Sequence, residues 1–142
     1  MDYKITPCTE EEADYIDSRL IEFNLSQVPA EGAGRTFISW MPRKVTDGNG
    51  NIIAGCNAAV TIWNTAMIEI LWVAEPYRRQ GIGTELLRSV EQEMKELGCN
   101  VIQLDTFDFQ AKDFYIKNGY TVFGTLENCP KGHCRYYMKK DL

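Results

Sequence analysis

The clearest pattern along the chain is an apolar run followed by a turn and then by an amphipathic stretch. Residues 67–74 are almost entirely apolar, which predicts a buried strand. After residue 83, apolar residues recur every three or four positions until Gly98, and this spacing predicts a helix that ends at that glycine. The apolar stripe consists of Leu86, Leu87, Val90, Met94 and Leu97, with the charged residues, Glu91 among them, largely on the other faces.

A second amphipathic helix is predicted near the N-terminus. Thr9 and Glu12 have the spacing of a capping box, and apolar residues follow at helical spacing. Residues 25–36 lose this periodicity and contain one proline and two glycines, so we expect a mobile loop there. Loops of this length are often functional, and the sequence leaves open whether this one closes over a substrate.

The remaining periodic segments predict a sheet. We expect strands at residues 37–47, 51–63, 67–74, 101–106, 120–126 and 135–139, and a short helix at 110–118 that Gly119 closes. Short connections make the first three strands antiparallel, whereas the crossover helix makes the fourth parallel to the third, with a right-handed connection. The expected fold is therefore α/β (α+β): a mixed, mostly antiparallel sheet of about six or seven strands with a central βαβ unit and flanking helices.

Length and composition are those of one globular domain. The 142 residues, 44% hydrophobic and 25% charged, are expected to form a single domain over 1–142. No apolar run approaches the ~20 residues needed to span a bilayer, and the N-terminus lacks the features of a signal peptide. We therefore expect a cytoplasmic protein without a membrane partner, whose five cysteines are reduced.

Charge and cysteine spacing narrow the set of partners. The net charge of −5 disfavours a nucleic-acid surface and mildly favours small cationic partners. Cys129, His133 and Cys134 lack the spacing of zinc motifs, so no metal is expected, and His133 is read as a turn residue rather than a proton shuttle. The oligomeric state, including a homodimer, is left open by the sequence.

The turn between the apolar strand and its helix has the composition of an anion site. Pro76 ends the strand, and Gly81 and Gly83 let the backbone approach a ligand where the first helical turn leaves its N–H groups unpaired. Arg78 and Arg79 add positive charge, so a phosphate is the expected ligand. The segment lacks the Gly-Lys-Ser/Thr of a P-loop and the third glycine of a dinucleotide-binding fold.

Two motifs carry a family resemblance. Residues 73–83, Val-Ala-Glu-Pro-Tyr-Arg-Arg-Gln-Gly-Ile-Gly, resemble the acyl-CoA signature of the GNAT N-acetyltransferases, whose core Gln/Arg-x-x-Gly-x-Gly/Ala is filled by Arg78, Gly81 and Gly83. Residues 114–120, Phe-Tyr-Ile-Lys-Asn-Gly-Tyr, are similar to the second motif of that family. The ending at 130–137 resembles that of small bacterial members. The resemblance implies acetyl-CoA as co-substrate and an amine as acceptor.

The resemblance also assigns roles to individual residues. It implies that backbone N–H groups of the turn and first helical turn hold the pyrophosphate, aided by at least one of the two arginines, and that the strand backbone pairs with the pantetheine and polarises the thioester carbonyl. The implied cofactor-binding residues are Leu71, Trp72, Val73, Arg78, Arg79, Gln80, Gly81, Ile82, Gly83 and Thr84.

Two side chains are candidates for proton transfer. Tyr115 matches the motif tyrosine whose hydroxyl lies near the CoA sulfur, which implies a general acid, whereas a sheet-capping core tyrosine is the structural alternative. Glu69 is the only charged residue in the apolar strand and resembles the strand glutamate that several members use as a base. An outward glutamate, with a water chain as the base, remains the alternative, because alternate strand residues face opposite sides.

We therefore expect an N-acetyltransferase that moves an acetyl group from acetyl-CoA to a primary amine of a small cationic molecule. No cysteine falls in either motif, so direct attack in a ternary complex is expected rather than a covalent acetyl-enzyme. An enzyme that acetylates protein N-termini or lysines is the alternative within the class. The alternative from another class is a non-catalytic acyl-CoA sensor.

Overall fold

A computed structural model describes residues 1–30 and 38–142. The chain divides into two compact units, Met1–Gly34 and Arg35–Leu142, and each is described by itself. The single domain over 1–142 stays a prediction. Half of the expected loop at 25–36, residues 31–36, lies outside the described residues, and residues 25–27 are helical. Within the described residues, no helix combines the length and the apolar character that crossing a bilayer requires.

The first unit contains helix α1, Glu10–Gln27. The predicted capping box is present: the Glu12 N–H donates to Thr9 Oγ1 at 3.3 Å, and the Thr9 N–H donates to Glu12 Oε2 at 2.8 Å. These bonds satisfy two N–H groups that a helix start otherwise leaves unpaired, and three glutamates in the first turn suit the helix dipole.

In the described residues, the second unit has a seven-stranded sheet, two α-helices and a short 3-10 helix, Glu75–Tyr77, which follows the fourth strand. Its strands are β1 (Ser39–Trp40), β2 (Arg43–Thr46), β3 (Ile52–Val60), β4 (Ala66–Val73), β5 (Val101–Phe107), β6 (Thr121–Glu127) and β7 (Cys134–Asp141). Helix α2, Ile82–Glu96, joins β4 to β5, and α3, Lys112–Lys117, follows β5. The strand order is β1-β3-β4-β5-β7-β6, with β2 also paired to β3, so β7 inserts between β5 and β6.

The sheet confirms the predicted mixed architecture. β4 and β5 are parallel and all other strand pairs within the described residues are antiparallel, which places the βαβ unit at the centre. The strand expected at 37–47 is two strands, because Pro42 has no N–H to donate and interrupts the ladder. Residue 37 lies outside the described part. The strand expected at 51–63 ends at Val60, where a turn begins in which the Thr61 N–H donates to Thr65 O.

Helix α2 packs the apolar stripe against one face of the sheet. Leu87, Val90 and Met94 are almost fully buried there, and Gly98 ends the helix region with φ +88°, as predicted. Glu91 departs from the expected pattern, because it is 8% exposed although it was placed among the outward charges. Tyr115 and Tyr120 belong to the same buried cluster, so α3 and its following turn cover the same face as α2.

Candidate functional site

The central strands β4 and β5 separate from each other along their length. They pair only at their starts, Ala66 with Ile102 and Met67 with Gln103, among the residues that the structure describes. Beyond this point β4 continues to pair with β3 and β5 with β7. The sheet therefore opens between the C-terminal halves of its two parallel strands.

The backbone of β4 presents hydrogen-bonding groups to this opening. The Ala74 N–H donates to Ile53 O at 2.8 Å, so the alternation of an antiparallel ladder turns the N–H and C=O groups of Val73 and Leu71 away from β3. Arg78 Nε donates to Val73 O at 2.9 Å. The Val73 N–H and both backbone groups of Leu71 are left facing the opening. The backbone of Trp72, by the same alternation, faces β3.

The turn after β4 exposes a row of backbone N–H groups. Gly81 precedes α2 with φ +85°, a left-handed conformation that glycine adopts without strain, and no atom lies within 4 Å of where a Cβ would be. Arg79 is also left-handed, at φ +59°, which is costly for a side chain of its size and typical of functional loops. No side chain caps α2, so the N–H groups of its first turn point outward unpaired.

A cleft of about 550 Å³ connects the opening to this turn. Its walls are formed by Leu71, Trp72, Val73, Tyr77, Arg78, Arg79, Gly81, Gly83, Thr84, Phe109, Gln110, Ala111, Phe114 and Tyr115. All of the predicted cofactor residues line it except Gln80 and Ile82. Gln80 Nε2 donates to Pro76 O at 3.0 Å, which braces the turn, and Ile82 packs against the core.

The sequence analysis did not predict that residues 109–111 form part of the cleft wall. These residues directly follow β5, and their place after the strand that parallels β4 is the signal that could have found them. The Gln110 side chain accepts a hydrogen bond from the Phe107 N–H at 2.8 Å, so it holds the end of β5 in place beside the cleft.

Tyr115 lies on the cleft wall with its ring in the core. It is 6% exposed, and its ring packs edge-on against Phe114 and Tyr120, with centroids 5.3 and 5.5 Å away. Its hydroxyl forms no hydrogen bond within the described part of the chain. Burial raises the pKa of Tyr115 well above its ordinary value, and the thiolate that Cys56 forms at strongly alkaline pH and the charge of Asp105 raise it further, so the hydroxyl is a proton donor at neutral pH.

A buried polar network contacts Tyr115 through the ring of Tyr120. Tyr120 Oη donates to Glu91 Oε1 at 2.9 Å, and Lys140 Nζ donates to Glu91 Oε2 at 2.7 Å. The two bonds tie α2, β7 and the turn after α3 together, and they compensate a carboxylate that is almost fully buried.

Glu69 occupies an irregular position in β4. Asn57 pairs with Ile70 and Ala58 with Ile68, which leaves Glu69 as the extra residue of a β-bulge. It is exposed, forms no ion pair or hydrogen bond within the described ranges, and is not among the residues that line the cleft. The structure thus brings Tyr115 to the cleft and leaves Glu69 outside it.

Cys56 lies beneath the cleft, opposite Leu71 on β3. It is fully buried, and burial raises the pKa of its thiol to about 11. A thiol that is protonated at neutral pH and shielded from solvent is a poor nucleophile.

His133 lies beside the mouth of the cleft. Its Nδ1 is 2.9 Å from Asp108 Oδ1, and its ring packs edge-on against Phe109 with centroids 5.1 Å apart. Asp108 Oδ2 also accepts from the Cys134 N–H at 3.0 Å. The pair therefore fastens the turn before β7 to the end of β5, which fits the structural role expected of His133.

Comparison with known proteins shows which family the chain resembles. The model of the acetyltransferase (GNAT) family matches residues 6–120. Blasticidin-S acetyltransferase of Streptomyces morookaense is 30% identical over 96 residues, which are 67% of this chain and 71% of that protein.

Solved structures extend this similarity to the fold. An acetyltransferase from Bacillus cereus ATCC 14579 superposes with a TM-score of 0.89 at 34% identity, covering 99% of this chain and 98% of the other. A Bacillus anthracis str. Ames protein assigned as a streptothricin acetyltransferase, solved in complex with acetyl coenzyme A, has a TM-score of 0.65 at 23% identity, covering 72% of this chain and 62% of its own.

Proposed function

Because the chain belongs to the acetyltransferase (GNAT) family and is an acetyl-CoA-dependent acetyltransferase, we propose that it acetylates a primary amine of a small cationic molecule by direct attack in a ternary complex. The observation that carries this proposal is the opening between β4 and β5, with free backbone groups on one side and the Tyr115 hydroxyl on its wall.

The cleft has the complementary parts for acetyl-CoA. The N–H groups from Arg79 to Thr84 and the guanidinium groups of Arg78 and Arg79 offer positive potential to the pyrophosphate. The amides of the pantetheine arm would pair with the strand groups of Leu71 and Val73 that face the opening. The Leu71 N–H, which lies farther from the turn than that of Val73, is then the donor for the thioester carbonyl, a role in which it would stabilise the oxyanion.

The proposed reaction joins the amine nitrogen to the thioester carbon. The acceptor first loses one proton to solvent, because an alkylammonium has a pKa of about 10.4 and its protonated nitrogen has no lone pair. The neutral amine attacks, the C–N bond forms and the C–S bond breaks. The second amine proton leaves through a base, and the sulfur is protonated, so the products are an amide and CoA thiol.

Tyr115 is the proposed donor to the leaving sulfur. Since its pKa is raised well above that of a thiol, about 8.5, it acts mainly by donating a hydrogen bond to the developing thiolate. Cys56 is a buried, protonated thiol, which supports direct attack over an acetyl-enzyme. For the base, the position of Glu69 outside the cleft lining favours a water chain, with Glu69 at its outer end.

The net charge of the chain and the name of a related acetyltransferase both support a small cationic acceptor. The chain has a net charge of −5, which attracts cations. Blasticidin-S acetyltransferase, 30% identical, is named for a small-molecule acceptor. We therefore include blasticidin S among the candidate acceptors and do not restrict the proposal to it.

The proposal is tested by CoA release with a panel of amines. The panel contains blasticidin S, spermidine, L-lysine methyl ester, neutral benzylamine derivatives and an alanine-starting peptide. We expect release with at least one small cationic amine and none above background with the peptide. Release with the peptide alone would favour an enzyme acting on protein N-termini. Heat stabilisation by acetyl-CoA without release for any amine would favour the sensor.

A further inference from the structure

Asp105 stands at the edge of the opening, on the side away from Tyr115. Along β5, Leu104 and Thr106 are buried on the face that carries α2 and α3, so Asp105 points to the opposite face. Tyr115 belongs to the same buried cluster as Leu104. A thioester in the opening would therefore have Tyr115 on one side and Asp105 on the other.

The backbone hydrogen bonds of β5 show that the N–H and C=O groups of Asp105 face the opening rather than β7. The Asp108 N–H donates to Cys134 O on the β7 side at 3.0 Å, whereas the Phe107 N–H donates to the side chain of Gln110. By the alternation of the ladder, the N–H and C=O of Asp105 also face away from β7. Beyond Gln103, β4 no longer pairs with β5, so these groups face the gap.

A hydrogen bond to one of its two oxygens orients the carboxylate of Asp105. Its Oδ1 accepts from Arg135 Nε at 2.8 Å, and the two side chains are 36% and 34% exposed. The guanidinium lies over the rings of Phe107 and Tyr137, 5.6 and 5.4 Å from their centroids. These surroundings already hold one cation and leave Oδ2 of Asp105 available to another.

Electrostatics link Asp105 to the proposed acid. Its negative charge is among the causes, after burial, that raise the pKa of Tyr115. The carboxylate and the Tyr115 hydroxyl therefore interact electrostatically.

We propose that Asp105, oriented by Arg135, binds the ammonium group of the acceptor on the face of the sheet opposite Tyr115, and so selects cationic amines. This inference rests on the proposed function and assigns the acceptor end of that site. After it loses one proton to solvent, an amine held there is neutral and lies beside the thioester carbon, on the face of the sheet opposite Tyr115. Asp105, like Glu69, is not among the residues that line the cleft; it borders the opening on the other face of the sheet.

The test compares Asp105→Asn with wild type, using the panel amine that gives the fastest CoA release. Loss of a charged hydrogen bond is expected to raise the KM of that amine by about tenfold to a hundredfold, with the KM of acetyl-CoA within about twofold. Asp105→Thr, which removes the charge but keeps a side chain suited to a strand, is measured beside it and should behave alike. Asp141→Asn, at the end of β7, is the matched control and should leave both KM values unchanged.

The variant Arg135→Gln distinguishes amine binding by Asp105 from a purely structural role of the Asp105–Arg135 ion pair. It breaks the same pair but leaves the Asp105 carboxylate in place, so the amine KM should rise by no more than about threefold. Equal increases for the Asp105 and Arg135 variants would show that the pair is only structural and overturn the inference. Wild-type turnover with an unchanged amine KM for Asp105→Asn would do the same and leave the proposed function intact. If wild type releases no CoA with any panel amine, the proposed function fails, and this inference fails with it.

Discussion

Tyr120 donates a buried hydrogen bond to Glu91, with Oη and Oε1 2.9 Å apart, across 29 residues of sequence. The ring of Tyr120 in turn meets the ring of Tyr115 edge-on at 5.5 Å. Because Lys140 holds the other oxygen of the same carboxylate, the position of Tyr115 in the cleft wall depends on a network that never touches the cleft. Glu91 and Lys140 are therefore positioning residues in this account.

Tyr120→Phe is expected to destabilise the protein and to slow turnover. It leaves Glu91 Oε1 buried without its donor, which costs about 1–3 kcal/mol of unfolding free energy, and it loosens the ring that supports Tyr115. Denaturant unfolding measures the first effect. Steady-state kinetics should show kcat reduced several-fold while the KM of acetyl-CoA is unchanged; reduced stability with unaltered kcat would limit the network to a structural role.

Tyr115→Phe removes only the hydroxyl and is expected to lower kcat by roughly tenfold or more, the range of general-acid losses. Acetyl-CoA affinity should stay within about twofold, because in the proposed site the hydroxyl contacts the sulfur rather than the pyrophosphate. Tyr3→Phe, in the exposed N-terminal segment, is the matched control. Wild-type kcat in Tyr115→Phe would remove this residue from the mechanism.

The alkaline pH profile tests the protonation state of Tyr115. Burial and then nearby negative charges raise its pKa above the ordinary value of 10.0, so the hydroxyl stays protonated at mildly alkaline pH. We expect no fall in kcat that depends on Tyr115 from about pH 7 to about pH 10. A descending limb in this range that is present in wild type and absent from Tyr115→Phe would contradict the assignment.

The raised pKa of Tyr115 also makes the stability of the folded protein depend on pH at the alkaline end of this experiment. Since the folded-state pKa of Tyr115 lies above the unfolded value, the associated stabilisation is complete below about pH 10 and is lost as the pH rises further. Unfolding measured alongside the kinetics will therefore show whether the protein is still folded at each point.

Gly81 and Gly50 form a matched pair for testing the turn. Both have φ +85° with open space where a Cβ would lie, but Gly50 is in the β2–β3 hairpin and Gly81 precedes α2 in the cleft. Alanine at either site should cost about 1–2 kcal/mol of stability, because left-handed backbone disfavours a side chain. Only Gly81→Ala should weaken acetyl-CoA binding in calorimetric titration; equal affinities for the two variants would place the pyrophosphate elsewhere.

The central βαβ unit was predictable because each of its boundaries has a local chemical signal. Apolar residues mark β4, Gly81 and Gly98 mark the limits of α2, and the crossover rule then makes β5 parallel to β4. Most of the cleft residues beside this turn, which are proposed to hold the cofactor, were predicted from the same segment of sequence. The capping box at Thr9 is equally local and was confirmed atom by atom.

The residues proposed for the acceptor end were less predictable because their positions depend on non-local pairing. The bulge at Glu69 shifts the alternation of β4, and only the register against β3 reveals it. Asp105 gains its place from the separation of two strands, which no sequence spacing encodes. Glu91 looked like an outward helix charge, since its partners Tyr120 and Lys140 lie 29 and 49 residues away.

We propose that the cleft between β4 and β5 transfers acetyl groups directly from acetyl-CoA to an amine. The most direct measurement follows CoA and acetylated amine together, by mass spectrometry, in one reaction with acetyl-CoA and the best panel amine, while both substrates are varied. The account predicts one acetylated amine for each CoA and intersecting double-reciprocal plots, as a ternary complex requires. CoA release without acetylated amine, or parallel plots with an acetylated protein, would contradict it.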